Sequence, residues 1–511
     1  MNDLQPSRSS RRQEAPIHSE LEMRNSKFDQ SLLTPAATKM GRRHFLFTSA
    51  CGFGGVALSW LFAKEARAAS TAVASPYAPH PSMFPARAKR VIHVCALGGV
   101  SHLDTFDYKP ELEKRHGQDS GRKFDTFFAQ PGKLLKSPFA FGQHGASGRW
   151  CSDLLPNLAT CVDDLTFIHS MHSRSSNHTP ATFLMNSGFL FNGFPSLGAW
   201  MSYGLGSENQ DLPAFVVLPD PRQLPAGGAI NWTNGFLPAA HQGVAFRSSG
   251  GDAIPDLTTP RETSPRTRAA SFGLLQKLNA DFAATNPSET ALAARIRAYE
   301  LAAQMQMSVP ELVNLDGESE ATRRLYGLDH PNAPTANFAR NCLLARRLSE
   351  RGVRFVQIFN GGQFGSPRIN WDAHEDIVEN HRKQALVMDQ PVAALVKDLK
   401  ARGLLDETVL LWTTEFGRTP ITQGVNGKGR DHHQHGFTIW MAGAGLVPGL
   451  AFGATDDIGY DAVDHPVQFY DVHATLLRLL GIEHTKLTFR HNGVDRRLTD
   501  VHGEIIEGVL S

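Results

Sequence analysis

Five cysteines are spread over 511 residues, and no two of them stand in C-x-x-C spacing. That excludes a zinc ribbon and a thioredoxin-type redox pair. Neither sign of charge is in excess, since 51 Lys and Arg face 50 Asp and Glu for a formal net charge of +1. Without a basic block to follow phosphates, no nucleic-acid partner is expected. Beyond residue 63 there is also no apolar run long enough to cross a bilayer, so no membrane span is expected in the mature chain. Histidine is the abundant exception. There are 22, several beside acids and glycines in the C-terminal third, which makes metal chemistry the class to test.

Residues 1–40 are polar, rich in Ser, Arg and Gln, and free of apolar periodicity, and they read as a disordered extension. The stretch 41–68 is more specific. "GRRHFLF" sets two arginines before the charge-free run Phe45 to Ala63, and Ala66 and Ala68 then supply an A-x-A cleavage site. This pattern resembles a twin-arginine export signal, and it implies the twin-arginine machinery as a partner and a periplasmic or otherwise exported destination. Gly52, Gly54 and Gly55 weaken the run as a permanent anchor. An oxidising compartment permits a Cys151 to Cys161 disulfide, although a protein folded before export cannot depend on it.

From residue 90 the chain alternates short apolar runs with helical segments. "RVIHVCA", "LTFIHSM", "AFVVLP", "RFVQIF", "TVLLWTT" and "FTIWMAG" read as strands, with "ETALAARIRAYELAAQM" and "NFARNCLLARRLSERG" as helices between them. Such alternation predicts an α/β fold, a mostly parallel sheet with helices on both faces, as one large domain over 90–511. The stretch from about 212 to 265, rich in Pro, Gly and Ser, is expected to be an irregular insertion walling the site. Asp389 reads as a helix cap with Pro391 in the first turn. In sheets of this kind ligands sit beyond the carboxyl ends of the strands, and that is where Asp104, Asp372, His374 and Glu415 fall.

The motifs "GGVSHLDTFDYKP", "WDAHEDIVENH", "LLWTTEFGRTP" and "GRDHHQHGFTIWMAGAG" carry a family resemblance. An Asp-x-His before a helix, an acid at a strand end and a His before the next strand resemble the alkaline phosphatase and sulfatase superfamily. More closely, the chain is similar to its branch called domain of unknown function 1501, over about residues 90 to 511. The resemblance implies an alkaline-phosphatase-like sheet and one divalent metal, zinc, manganese or similar, held by Asp372, His374 and His432, with His433 and His435 as substitutes. It implies a second metal on Asp104 and Glu415, where Phe416 stands in place of a histidine. That second site is then weak, completed by His102 or Asp107, or absent, and Phe416 is expected to turn away into apolar packing.

The resemblance also implies a hydroxyl nucleophile at the start of the helix after the second strand. Thr179 occupies that place and is equally a helix N-cap ahead of Pro180, with Ser175 and Ser176 as the other hydroxyls. Asn177 and His178 could hold a substrate oxygen or complete a metal site. Arg418 or Arg174 is the expected anion clamp. The Cys-x-Pro-x-Arg signature of formylglycine sulfatases is absent. Two functions remain open: an exported metal-dependent hydrolase of phosphate or sulfate esters acting on a small ester or a polysaccharide, and a degenerate relative that binds an anionic polysaccharide or an envelope partner.

Overall fold

Seven consecutive residues of "RVIHVCA" are buried and form β1 (Arg90–Ala96), the strand on which the rest of the sheet is assembled. The computed structural model describes residues 78–128, 130–248, 253–254, 264–285, 290–365 and 367–511. The disordered extension and the export signal expected at 1–40 and 41–68 lie outside them. In chain order the other strands of the central sheet are β2 (Leu165–Met171), β3 (Phe215–Leu218), β4 (Val244–Ala245), β5 (Phe355–Asn360), β6 (Thr408–Thr413), β7 (Phe437–Gly443) and β8 (Ala451–Phe452). Their spatial order is β8-β2-β7-β6-β1-β5-β3-β4.

β1 is paired in parallel on both sides, Val94 standing beside Ile358 of β5 and Trp412 of β6. β7 runs antiparallel to its neighbours β6 and β2, and the remaining pairs are parallel. The fold is therefore α/β with a mostly parallel sheet. Strands buried on both faces are expected to be apolar along their whole length, which is what the runs of the sequence showed.

Alternation along β1 sends Ile92, Val94 and Ala96 into one core and Val91, Cys95 and Leu97 into the other. The two apolar clusters are thus the two faces of one sheet. α1 (His178–Ser187) and α2 (Leu197–Leu205) cover one face, α3 (Ala333–Glu350) and α4 (Ile377–Ala401) the other, and α5 (Phe469–Leu479) returns to the first. The start of α4 is set by Asp376, whose carboxylate accepts from the N–H groups of Val378 and Glu379. That of α5 is set by a reciprocal Gln468–Asp471 box.

Two expectations are corrected. Asp389 does not open a helix: α4 runs through it, with Pro391 in the interior. Its carboxylate caps a different element, accepting from the N–H groups of Asn157 and Leu158 at 2.9 and 2.8 Å at the start of the 3-10 turn Leu158–Asp164. The stretch 212–265 is less irregular than its composition suggests, because it contributes β3 and β4 to the sheet edge. Cys151 and Cys161 are buried and unpaired. Among the described residues no helix is long and apolar enough to cross a membrane.

Candidate metal centre

The turn after β1 has to let another chain segment pass across the strand end. Gly98, at φ +118°, makes this possible, since a Cβ there would stand 2.4 Å from the Trp371 nitrogen and 2.5 Å from that of Asp372. The crossing segment, between β5 and α4, carries Asp372 and His374. His432 enters from a short antiparallel pairing of His432–His433 with Gly417–Arg418. His178 is the first residue of α1, directly after its N-cap Asn177. Three loops at the carboxyl ends of the strands thereby deliver His178, Asp372, His374 and His432, whose ligand atoms all lie within 4.8 Å of one another.

The distances converge on one carboxylate oxygen. Asp372 Oδ1 is 2.7 Å from His374 Nε2, 3.2 Å from His432 Nε2 and 3.3 Å from His178 Nε2. The opposite edge of each imidazole meets an oxygen that accepts. His178 Nδ1 donates to Glu415 Oε1 at 2.6 Å, His432 Nδ1 to the Ser176 carbonyl at 2.7 Å, and His374 Nδ1 to Gln423 Oε1. Assigned from these partners, each neutral ring carries its proton on Nδ1 and presents a lone pair at Nε2. Burial pushes the His432 ring down to about 2, against the pull of Asp372, so it stays neutral.

The donor set fits a metal on two observations. His374 and His432 set their Nε2 atoms 2.9 Å apart, lone pair toward lone pair. Buried His178 Nε2 has no hydrogen-bond partner. A divalent ion relieves both, and a set of three imidazoles and one carboxylate suits zinc, manganese or iron. The outer acceptors Glu415, Gln423 and Ser176 fix ring orientation and tautomer, as the outer shell of a metal site does. Burial alone would raise the Asp372 carboxyl. The Arg418 guanidinium beside it outweighs that and holds the group well below the usual carboxylate range. Its Oδ2 receives a hydrogen bond from Arg368.

The other expected site residues are placed differently. Asp104 does not meet Glu415; it is paired with Arg430, Nε to Oδ2 at 2.7 Å, both side chains fully buried, and it also accepts from Ser101. A guanidinium thus takes the carboxylate that a second cation needed. Glu415 lies behind His178 and accepts the Gly98 N–H at 2.9 Å. Arg418 is no anion clamp in this arrangement, because its buried guanidinium is bonded to the carbonyls of Gly98, Gly99 and Arg430 and to Asp372. His102 is bonded to the Gly459 carbonyl and Asp107 to Lys109 and Thr455, so neither completes a second site. His433 turns to the Tyr460 carbonyl, the opposite way from His432.

Thr179 stands in the first turn of α1, one residue past His178, and Asn177 rather than Thr179 is the N-cap. Ser176 lies on the same loop, its carbonyl engaged by His432. Phe416 does not turn away: its buried ring packs 4.7 Å from that of His178 and 4.8 Å from that of His432. Phe364 stacks on His178 at 3.8 Å, and Phe127 and Phe128 lie 5.2 Å from His432. This aromatic wall was not foreseen, and only the "TFF" triplet at 126–128 hinted at it.

No curated protein matches the chain. Solved structures match it at low identity. The alkaline phosphatase of the Antarctic bacterium TAB5 is 10% identical with a TM-score of 0.35, over 78% of this chain and 98% of that one. The lipoteichoic acid synthase LtaP of Listeria monocytogenes is 9% identical with a TM-score of 0.34, over 80% and 76%. A protein in the alkaline phosphatase superfamily from Vibrio parahaemolyticus is 10% identical with a TM-score of 0.33, over 81% and 71%. Residues 88–510 match the family described as "Protein of unknown function (DUF1501)", and the chain belongs to that family.

Proposed function

We propose that the protein is an exported metal-dependent hydrolase of phosphate or sulfate esters, with one divalent ion held by His178, Asp372, His374 and His432. The observation that carries this reading is the convergence of three Nε2 lone pairs on Asp372 Oδ1, each ring held from behind by an acceptor. A divalent ion there supplies a Lewis acid for an ester oxygen and lowers the pKa of a bound water. The chain's own groups do the rest. Arg368, 29% exposed and bonded to Asp372 and Glu375 at the rim, is the guanidinium placed to meet the anionic end of an ester. Thr179 and Ser176 are the hydroxyls beside His178 at the N-terminal turn of α1, where backbone N–H groups favour a developing anion.

The alternative, a binding protein for an anionic polysaccharide or envelope partner, is favoured by a specific pair of facts: Asp104 is committed to Arg430, and Phe416 fills a position where a second ligand was expected. Metal analysis of protein purified after export, with a screen of aryl phosphate and sulfate esters, separates the two. The hydrolase reading expects one ion per chain and turnover that disappears in His374→Ala and His432→Ala. Full metal content with no ester cleaved favours the binding protein.

A further inference from the structure

Two aromatic side chains next to the metal donors are left in contact with solvent. Phe127 is 46% and Phe128 59% exposed, yet both are held in place. Their consecutive backbone N–H groups donate to Asp431 Oδ2 at 2.8 and 3.0 Å, and the other oxygen of Asp431 accepts the N–H of His432 at 2.8 Å. The backbone, not the rings, therefore ties this loop to the residue beside a metal donor. The fold has no evident need of two phenylalanines here, since a polar side chain would leave the same amide bonds intact. Exposing apolar rings costs about 25 cal/mol per Å² relative to burying them, so a tethered, exposed aromatic pair is a candidate contact surface.

What the pair contacts is limited by where it stands. The Phe127 ring is 5.2 Å from the His432 ring, and the Phe128 ring lies edge-on 4.9 Å from that of His374. A group resting beside these rings is next to the histidines of the cluster, as the alcohol of an ester is next to its reacting phosphate or sulfate. Phe364, stacked on His178, adds a half-buried ring on another side of the cluster, while Arg368 supplies the positive charge. The donor cluster thus has a guanidinium at its rim and aromatic rings around it.

Resting on the hydrolase reading above, we propose that Phe127 and Phe128 form the leaving-group subsite and that the substrate is an ester of a cyclic alcohol, one whose ring presents an apolar face. A phenol and a pyranose share that chemistry, and both stack on aromatic side chains.

The test uses the full chain, metal-loaded, as wild type and as the double variant Phe127→Ala with Phe128→Ala. Phenyl phosphate and glucose 6-phosphate are compared with n-butyl phosphate, which has no ring, together with the matching sulfates. We expect kcat/KM for at least one ring ester to exceed that of the butyl ester by about tenfold, and the double variant to lose that margin through KM with metal content unchanged. The arm that responds, phenyl or pyranose, identifies the alcohol. A margin that survives in the double variant, or no margin in the wild type, overturns the subsite. Saturation-transfer NMR with phenol and methyl glucoside reads ring contact without turnover. If no ester is cleaved but ring contact is seen and is lost in the double variant, ring recognition by the pair stands while the hydrolase reading, and with it the leaving-group role, falls. If no ring contact and no ring preference are seen, the subsite falls whatever the enzyme cleaves.

Discussion

At the scale of single residues, the two buried carboxylates expected to share a cation have separate partners, and their substitutions should separate accordingly. Glu415 accepts from His178 Nδ1 and from Gly98, so at the proposed centre it acts through His178. Glu415→Gln keeps one acceptor oxygen but brings an NH₂ toward one of two donors. Metal affinity should fall about ten- to a hundredfold, the usual loss for an outer-shell partner, with the fold intact. Asp104→Asn acts elsewhere. It leaves the buried Arg430 guanidinium short of its counter-charge, which costs on the order of 3–5 kcal/mol, while the metal donors keep their places. Metal titration by calorimetry alongside urea unfolding distinguishes the two losses. Equal metal affinity in wild type and Glu415→Gln removes Glu415 from the centre.

Among elements, α4 joins the sheet core to the site: Asp376 caps it where the loop bearing His374 ends, and Asp389 caps the Leu158–Asp164 turn from its middle. Asp389→Ala should therefore cost about 1–2 kcal/mol in urea unfolding, the range for a lost cap, and leave metal binding unchanged. A loss of metal in that variant contradicts the separation of cap and site. Asp389 also marks where sequence reading stopped. Asp followed by Pro two residues later has the local look of a helix start, and only the packing of α4 against residue 157 shows that the carboxylate serves another turn. The strands were legible because burial on both faces makes them continuous apolar runs, but the reversed direction of β7 leaves no mark in such a run. Asp372, His374 and His432 could be named from their spacing and resemblance. The Asp104–Arg430 pair could not, since its partners are far apart in sequence and neither motif signals the other. His178 was read together with Asn177 as a group to hold a substrate oxygen or complete a metal site, and its bond to Glu415 is what the sequence did not signal.

For the molecule as a whole, the donors come from loops after β2 and β5 and before β7, so an ion bound there closes long stretches of chain and binds only the folded state. Zinc or manganese at a thousandfold excess over its dissociation constant should then add about 4 kcal/mol to stability, seen as a rise in Tm that His374→Ala abolishes. The metal-free protein should in addition be acid-sensitive well above the carboxylate range. Burial lowers His93 and His381 to about 3, and His241 and His473 to about 4. These rings are neutral in the folded protein, whereas in the unfolded chain they take up protons near pH 6.5. The unfolded state thus binds more protons below that pH. Stability present in full above about pH 6.5 is lost as pH falls toward the folded values, with a slope of about 1.4 kcal/mol per pH unit for each such ring. Asp389 acts in the opposite sense, because burial raises its carboxyl and so favours the folded state as it protonates, but only nearer the carboxylate range. Urea unfolding of chelated protein between pH 7 and 5 should show a steep decline, with several rings titrating together. A flat profile across that window means that these histidines are not held neutral by burial.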